Sequence, residues 1–343
     1  MPTAFTQVQN TYLNTLTFGG YSDNIEKIYQ EFLQTYKEES AMLFMSENLG
    51  ENAETVKRYD EQDMNQYAHD KPQGVDAQRL SFGVGYTKSV FAFRVGAQLN
   101  VSYEMRVAKR FELSKAIQRF VSSVPSRMEL DRQHRLTFAD ALSYVNMDGR
   151  LVDVTGGDSL AVLSAVHPLA FSATTFTNIV VGAPVLSVTS LESAETLFVT
   201  DILDNFGLPV VMDPSHLIVL KQDPNTVRVA SQILRSTTLV TQANPNVVNT
   251  FLQKYELMVL SRVATTATGA TDATKAKHWY LAALKGINRL QSHESIWEAP
   301  HMNAMAAGSN NGVDAYNDDF SFGARARYGH AITSGRGIVA SLA

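Results

Sequence analysis

Cysteine is absent from this chain of 343 residues. It therefore has no disulfides, no thiolate metal ligands and no cysteine nucleophile. Charge is also sparse, at 18% of residues, and leans acidic, with 34 Asp and Glu against 29 Lys and Arg. That balance argues against a protein that grips nucleic acid through a basic surface, although not against one that encloses it. No uncharged apolar run reaches membrane-spanning length, so no membrane partner is expected. The opening MPTAFTQVQNTYLNTLTF has no basic segment followed by an apolar core. No signal peptide is expected from it, and the chain reads as a soluble protein made in a cytoplasm. No internal repeat or low-complexity segment is evident.

What is present is a globular composition, 45% hydrophobic, in a chain long enough for one large or two modest domains. The strongest periodic signal runs from Ser102 to Val124. Tyr103, Val107, Phe111, Ser114, Ile117, Val121 and Val124 recur at helical spacing, widened by Leu113 and Phe120. Ser102 is placed to cap this helix, with Glu104 in its first turn. Glu112, Lys115 and Arg119 share the opposite, solvated face. About twenty residues give a rod of roughly 30 Å. Pro125 lacks an N–H and is expected to kink or end the rod. Beyond it, Asp131 and Arg135 are spaced to pair at i,i+4.

Before the rod, Met1 to Gly20 reads as an extended arm, and Asp23 to Tyr36 as a short helix with Ile25, Ile28, Tyr29, Phe32 and Tyr36 on one side. Glu51 to Gly74 is charged, poor in apolar residues and too long for an ordinary connection. From Arg79 to Glu104 β-formers dominate. Phe82, Val84 and Tyr86 alternate with Gly83 and Gly85, and Val90, Ala92 and Arg94 alternate with Phe91 and Phe93. This predicts a two-stranded excursion with little core of its own, a feature that usually lies on another molecule.

After the rod comes a turn-rich link, Asn146 to Gly157, then a mixed, β-rich stretch from Ser159 to Val188. A second helix is expected across Ser187 to Asn205, capped by Ser190, with Leu191, Ala194, Leu197, Phe198, Ile202 and Leu203 buried. Short strands follow at Pro209 to Met212 and Leu217 to Leu220. A third helix starts at Asp223 or Asn225. Strands are expected at Leu257 to Val263 and His278 to Leu284, and an irregular loop from Glu298 to Asp319. From Phe320 to Tyr328 apolar residues alternate with Ser321, Gly323, Arg325 and Arg327, a half-buried strand with an arginine face. A final strand runs from Ile338 to Ser341. This mixture makes the fold class α+β.

Several fragments look catalytic and fail in specific ways. Gly83 to Ser89 reads GVGYTKS, but Thr87 stands where a phosphate-binding loop needs Gly before Lys. His293-Glu294 begins an HExxH-like string, but Trp297 holds the second histidine's place. Asp314, Asn317, Asp318 and Asp319 match no calcium loop and read as a solvated acidic turn. Gly157-Asp158-Ser159-Leu160 with Asp213-Pro-Ser-His216 has the residue types of a GDSL-like serine esterase: Ser159 as nucleophile, His216 as base and Asp213 to orient it. Both blocks fall mid-chain, and the Gly and Asn blocks that complete such a site are missing. His167, before Pro168 in an apolar segment, reads as structural. No cofactor or metal is expected.

The order of parts resembles the major capsid proteins of tailed phages, the Hong Kong 97-type (Johnson) fold, and within it the Mu-like branch. The resemblance rests on FRVGAQLNVSYEMRVAKRF, AVHPLAF followed by FTN, LPVVMDPSHLIVL, NPNVVNTFLQKYELMVLSRV, HWYLAAL and the closing FGARARYGHAITSGRGIVAS. It implies an N-arm over residues 1–48, an E-loop over 49–100, and a peripheral (P) domain over 101–179 built on the long spine helix. An axial (A) domain over 180–317 and a return to the P domain over 318–343 complete the division. It also implies a non-enzymatic head protein whose copies form pentamers and hexamers in an icosahedral virion shell around double-stranded DNA. Its partners would be itself, a portal, a separate scaffold and decoration proteins, with assembly in the host cytoplasm. The functional surfaces would be interfaces, with candidates at Ile25, Phe32, Tyr59, Tyr67, Lys71, Phe82, Lys88, Phe91, Arg325 and Arg327. Some relatives crosslink through an E-loop lysine. Lys71 and Lys88 lie in that region, but nothing in the sequence argues for such a bond. A protein-encapsulating shell of the same fold and the esterase are the alternatives.

Overall fold

The computed structural model describes Tyr29 and residues 31–33, 36–64, 67–101, 113–238, 248–286, 288–305 and 320–343. Two four-stranded sheets and one long helix organise them. The first sheet has the order β1 (Met45–Asn48), β12 (Ser292–Met305), β13 (Phe320–Ile332), β4 (Phe93–Val101). The second has the order β10 (Glu256–Leu260), β9 (His216–Leu220), β11 (Trp279–Ala282), β14 (Ile338–Ser341).

The long helix, α1, spans Leu113–Thr137. At about 1.5 Å per residue it is a rod nearly 40 Å long. Its N-terminal half covers the first sheet: Phe120, Val121, Val124 and Met128 pack with Phe322, Ala324, Ala326 and Tyr328 of β13. This is the apolar face the spacing anticipates. Leu136, at its other end, joins a separate core under the second sheet, with Ile218, Leu260, Tyr280 and Ile338. The helix thus belongs to both cores. Pro125 does not end it but lies inside it. The ring removes one backbone bond, and flanking packing sustains the helix, since Val124 and Met128 are both buried. The expected Asp131–Arg135 pair is not formed: Asp131 takes Arg127 Nε at 3.0 Å, and Arg135 turns to the Asp153 carbonyl. The proposed cap at Ser102 lies outside the described residues.

The second sheet is buried on both faces, which is why β9, β11 and β14 read as continuous apolar runs. Leu217, Val219, Trp279, Leu281 and Val339 face a core closed by two helices, α2 (Val188–Thr200) and α3 (Pro224–Arg235). The cap of α2 is Ser187, not Ser190. Ser190 sits at the third helical position and completes a reciprocal capping box with Ser187. Asp223 caps α3, with Pro224 in its first turn.

Other boundaries move. Phe82–Phe91 (β3) pairs antiparallel with Val56–Met64 (β2), so the excursion's first strand lies in the charged segment that reads as a connection. Residues 298–305 are strand, not loop. Within 159–188 regular strand is confined to His167–Pro168 (β7) and Thr175–Phe176 (β8). Pro209 makes an isolated bridge to Leu203, and no strand forms over 209–212. A small hairpin of β5 (Ser143–Val145) and β6 (Leu151–Asp153) follows α1. No described helix is long and apolar enough to cross a membrane.

Candidate assembly surfaces

The β2–β3 hairpin is anchored at its base. The Tyr59 ring stacks on His293 at 3.8 Å between centroids, and its hydroxyl lies 2.8 Å from Ser295 Oγ and 3.1 Å from Glu47 Oε2. Trp297 Nε1 donates to the Glu54 carbonyl at 2.6 Å, and Val90 packs with Trp297 and Ala331. Further out, Asn205 Nδ2 donates to Asp63 Oδ2 at 2.7 Å and Glu61 Oε2 at 3.0 Å, while Arg336 Nη1 lies 3.3 Å from Asp63 Oδ2. Gly83 and Gly85 make this contact possible. A Cβ at Gly85 would lie 2.2 Å from Asn205 Nδ2, and one at Gly83 would lie 2.6 Å from the Phe171 and Phe206 rings. Beyond the anchor, residues 67–81 run without helix or strand and are nearly all exposed.

The hairpin leaves large apolar side chains in water. Phe82 is 73% exposed, Phe91 61%, Val84 56% and Tyr67 66%. These exposed apolar groups are gathered on one narrow excursion and not scattered singly over the surface. Lys71 is exposed near the tip. Lys88, by contrast, turns inward and bonds Asp153 Oδ2 at 2.7 Å and Thr155 Oγ1 at 2.8 Å. Phe32 packs half-buried against the α1 core, and Ile25 lies outside the described residues. Arg325 pairs with Glu298, and Arg327 stands in register between Glu298 and Arg94.

Beneath these surfaces lies a buried ion network that the sequence does not announce. Arg132 Nε and Nη2 grip the Glu294 carboxylate at 2.8 and 3.0 Å, and Nη1 reaches Glu38 and Glu129. His330 Nε2 lies 2.9 Å from the same Glu294. Burial alone would raise the Glu294 carboxyl, but His330 and Arg132 overcome it and hold its pKa at about 2. Burial lowers His330, so at neutral pH it is a neutral ring donating Nε2–H to the carboxylate. Ser40 N–H donates to Glu129 Oε1 at 2.9 Å, so the network ties the N-terminal segment, α1 and the first sheet together.

The catalytic-looking fragments do not assemble. Ser159 is exposed on a turn with φ of 63°, and Asp213 is exposed. His216 Nδ1 is engaged by its neighbour Ser215 at 2.8 Å, and its Nε2 faces Glu256 at 3.1 Å. His167 is buried against Asp158 at 2.7 Å. GVGYTKS lies within β3, and no group of metal-ligating side chains converges among the described residues.

No protein-family model matches the chain, and no curated protein matches its sequence. Solved structures do. The capsid of cyanophage P-SCSP1u superposes with a TM-score of 0.52 at 8% identity, covering 87% of this chain and 85% of that one. The mature capsid of bacteriophage PhiM1 gives 0.51 at 8% identity, covering 89% and 86%. The chain has a bacteriophage capsid-protein fold. This bears out the α+β, Hong Kong 97-type fold expected from the order of elements. Sequence reasoning on this capsid fold missed the Arg132–Glu294–His330 network and the Asn205–Arg336 anchor. No local signal marks them: Arg132 sits between Asp131 and Gln133, and Glu294 between His293 and Ser295, so each reads as part of a polar stretch.

Proposed function

We propose that this chain is a major capsid protein of a tailed phage. Its copies assemble as pentamers and hexamers into the icosahedral wall of the virion, enclosing double-stranded DNA without reading its sequence. The observation that carries this reading is the likeness to phage capsid structures over 87% and 89% of the chain. The bare Phe82, Val84 and Phe91 on a projecting hairpin support it. On this reading residues 49–100 are the E-loop lying on a neighbouring subunit, α1 is the spine of the P domain, and 180–317 is the A domain. The work is distributed over interfaces repeated by symmetry, and no residue has a catalytic role. The acidic net charge fits a wall that DNA is driven into, not one that binds it tightly.

The test is sedimentation and negative-stain imaging of purified protein, made alone and with its scaffold. Closed shells or capsomers are expected. Replacing residues 67–81 with a short glycine-serine link is expected to leave the subunit folded by circular dichroism while abolishing shells. A stable small monomer under all conditions, with ester hydrolysis lost in Ser159→Ala, would overturn the proposal. Nuclease-protected DNA in native particles would separate a phage head from a shell that holds protein.

A further inference from the structure

A cavity of about 130 Å³ lies where the hairpin base meets the long helix. Lys88 to Phe91 of β3, Arg135 of α1, and Asn146 with Arg150 to Asp153 of the β5–β6 hairpin enclose it, and His330 closes it from β13. Three permanent cations line it against one carboxylate, Asp153. That carboxylate is already spent on Lys88 and Thr155.

Arg135 is the anomaly. It is 9% exposed, and among the described residues no carboxylate pairs with it. Its Nη1 donates to the Asp153 carbonyl, and its Nε has no partner. The acids that act on it, Asp131 and Asp153, are in use elsewhere: Asp131 by Arg127 and Tyr328, Asp153 by Lys88 and Thr155. A guanidinium taken out of water without a counter-charge is strongly unfavourable. Arg150 adds a second guanidinium that pairs with no acid among the described residues, held 4.9 Å from the centre of the Phe93 ring. His330 contributes a buried Nδ1 without a partner, and because its Nε2–H serves Glu294, this Nδ1 is an acceptor.

We propose that the cavity binds a small oxyanion of the phosphate class. Its volume suits one tetrahedral ion and falls short of what a nucleotide-sized ligand fills. Arg135 and Arg150 supply planar N–H donors suited to oxyanion oxygens. Hydrogen phosphate also carries an O–H to give to His330 Nδ1, which sulfate lacks at neutral pH. The bound ion would tie β3, α1 and the β5–β6 hairpin together and stiffen the hairpin base. This site does not depend on the shell reading.

The test is isothermal titration of the full chain with inorganic phosphate, sulfate and acetate at matched ionic strength. Saturable phosphate binding is expected, one per chain, tighter than sulfate. Arg150→Ala, which removes an exposed side chain without an ion pair, should weaken it at least tenfold, and Arg135→Gln should abolish it. If Arg135→Gln does not fold, Arg150→Ala decides alone. Absence of saturable phosphate binding, an unchanged affinity in Arg150→Ala, or acetate binding more tightly than phosphate would overturn the assignment.

Discussion

The Tyr328 hydroxyl lies 2.8 Å from Asp131 Oδ2 and joins β13 to α1 inside the core that unites them. Asp131 also receives Arg127 Nε at 3.0 Å, so the carboxylate is neutralised by one partner and oriented by the other. Tyr328→Phe keeps the ring and its packing and removes one charge-assisted hydrogen bond. A loss of about 1–2 kcal/mol is expected. Urea denaturation of the unassembled subunit should show a lower midpoint at unchanged slope. An unchanged midpoint would mean that the Arg127 pair alone satisfies Asp131.

Arg132→Met leaves Glu38, Glu129 and Glu294 crowded without their cation. Breaking such a buried cluster should cost about 3–5 kcal/mol. Adding Glu294→Gln to the same chain should recover part of that loss, because one buried negative charge disappears with its partner. If the double variant is less stable than the single by the full cost of Glu294→Gln alone, the two residues are not coupled.

Acid should loosen the subunit in two stages. Burial depresses His134 and His293 to about 4. Between that value and the ordinary histidine value of about 6.5 the unfolded chain binds more protons than the folded one, so stability falls as pH drops through the window. Glu294, held at about 2, adds a second loss as pH falls from the ordinary carboxylate range towards 2. Melting temperatures recorded from pH 7 to pH 4 should decline, and His134→Gln should flatten the upper part of the slope. A flat profile over that range would refute the histidine contribution.

Gly85→Ala puts a methyl group into the Asn205 amide, which Asp63 and Glu61 hold in place. The strand is expected to lift from its anchor while both sheets stay intact. Hydrogen exchange should accelerate over residues 82–87 with little change in β9 or β11. Equal protection in the variant and the parent would show that Asn205 yields instead.

The parts legible in sequence are those with one wet and one dry face. β13 alternates Phe322, Ala324, Ala326 and Tyr328 inward with half-buried Gly323, Arg325 and Arg327 outward, and α1 lays Val121, Val124 and Met128 on one side. β2 gives no such signal: along VKRYDEQDM burial does alternate, but the covered positions carry Tyr59, Glu61 and Asp63, whose polar groups are met by Ser295 and Asn205. β12 is masked differently, since register shifts between Ile296, Glu298 and His301 interrupt its period of two and Pro300 sits within it. Pro125 does not end the helix because propensity is local, whereas two cores hold the helix around it. Of the surfaces, exposed Phe82 and Phe91 follow from the glycine-interrupted pattern. The inward turn of Lys88 does not, since a lysine's partner sixty-five positions away leaves no trace nearby.

The last strands tie the molecule together in time as well as in space. β13 fills the interior of the first sheet, and β14 completes the second. Both come after residue 320, so a ribosome has already released most of the chain before either sheet can close. Strand partners such as β4 must wait for a segment more than two hundred residues downstream. Closure of both sheets is therefore slow, as expected for pairings of such sequence separation. A product cut short before residue 320 has neither four-stranded sheet complete.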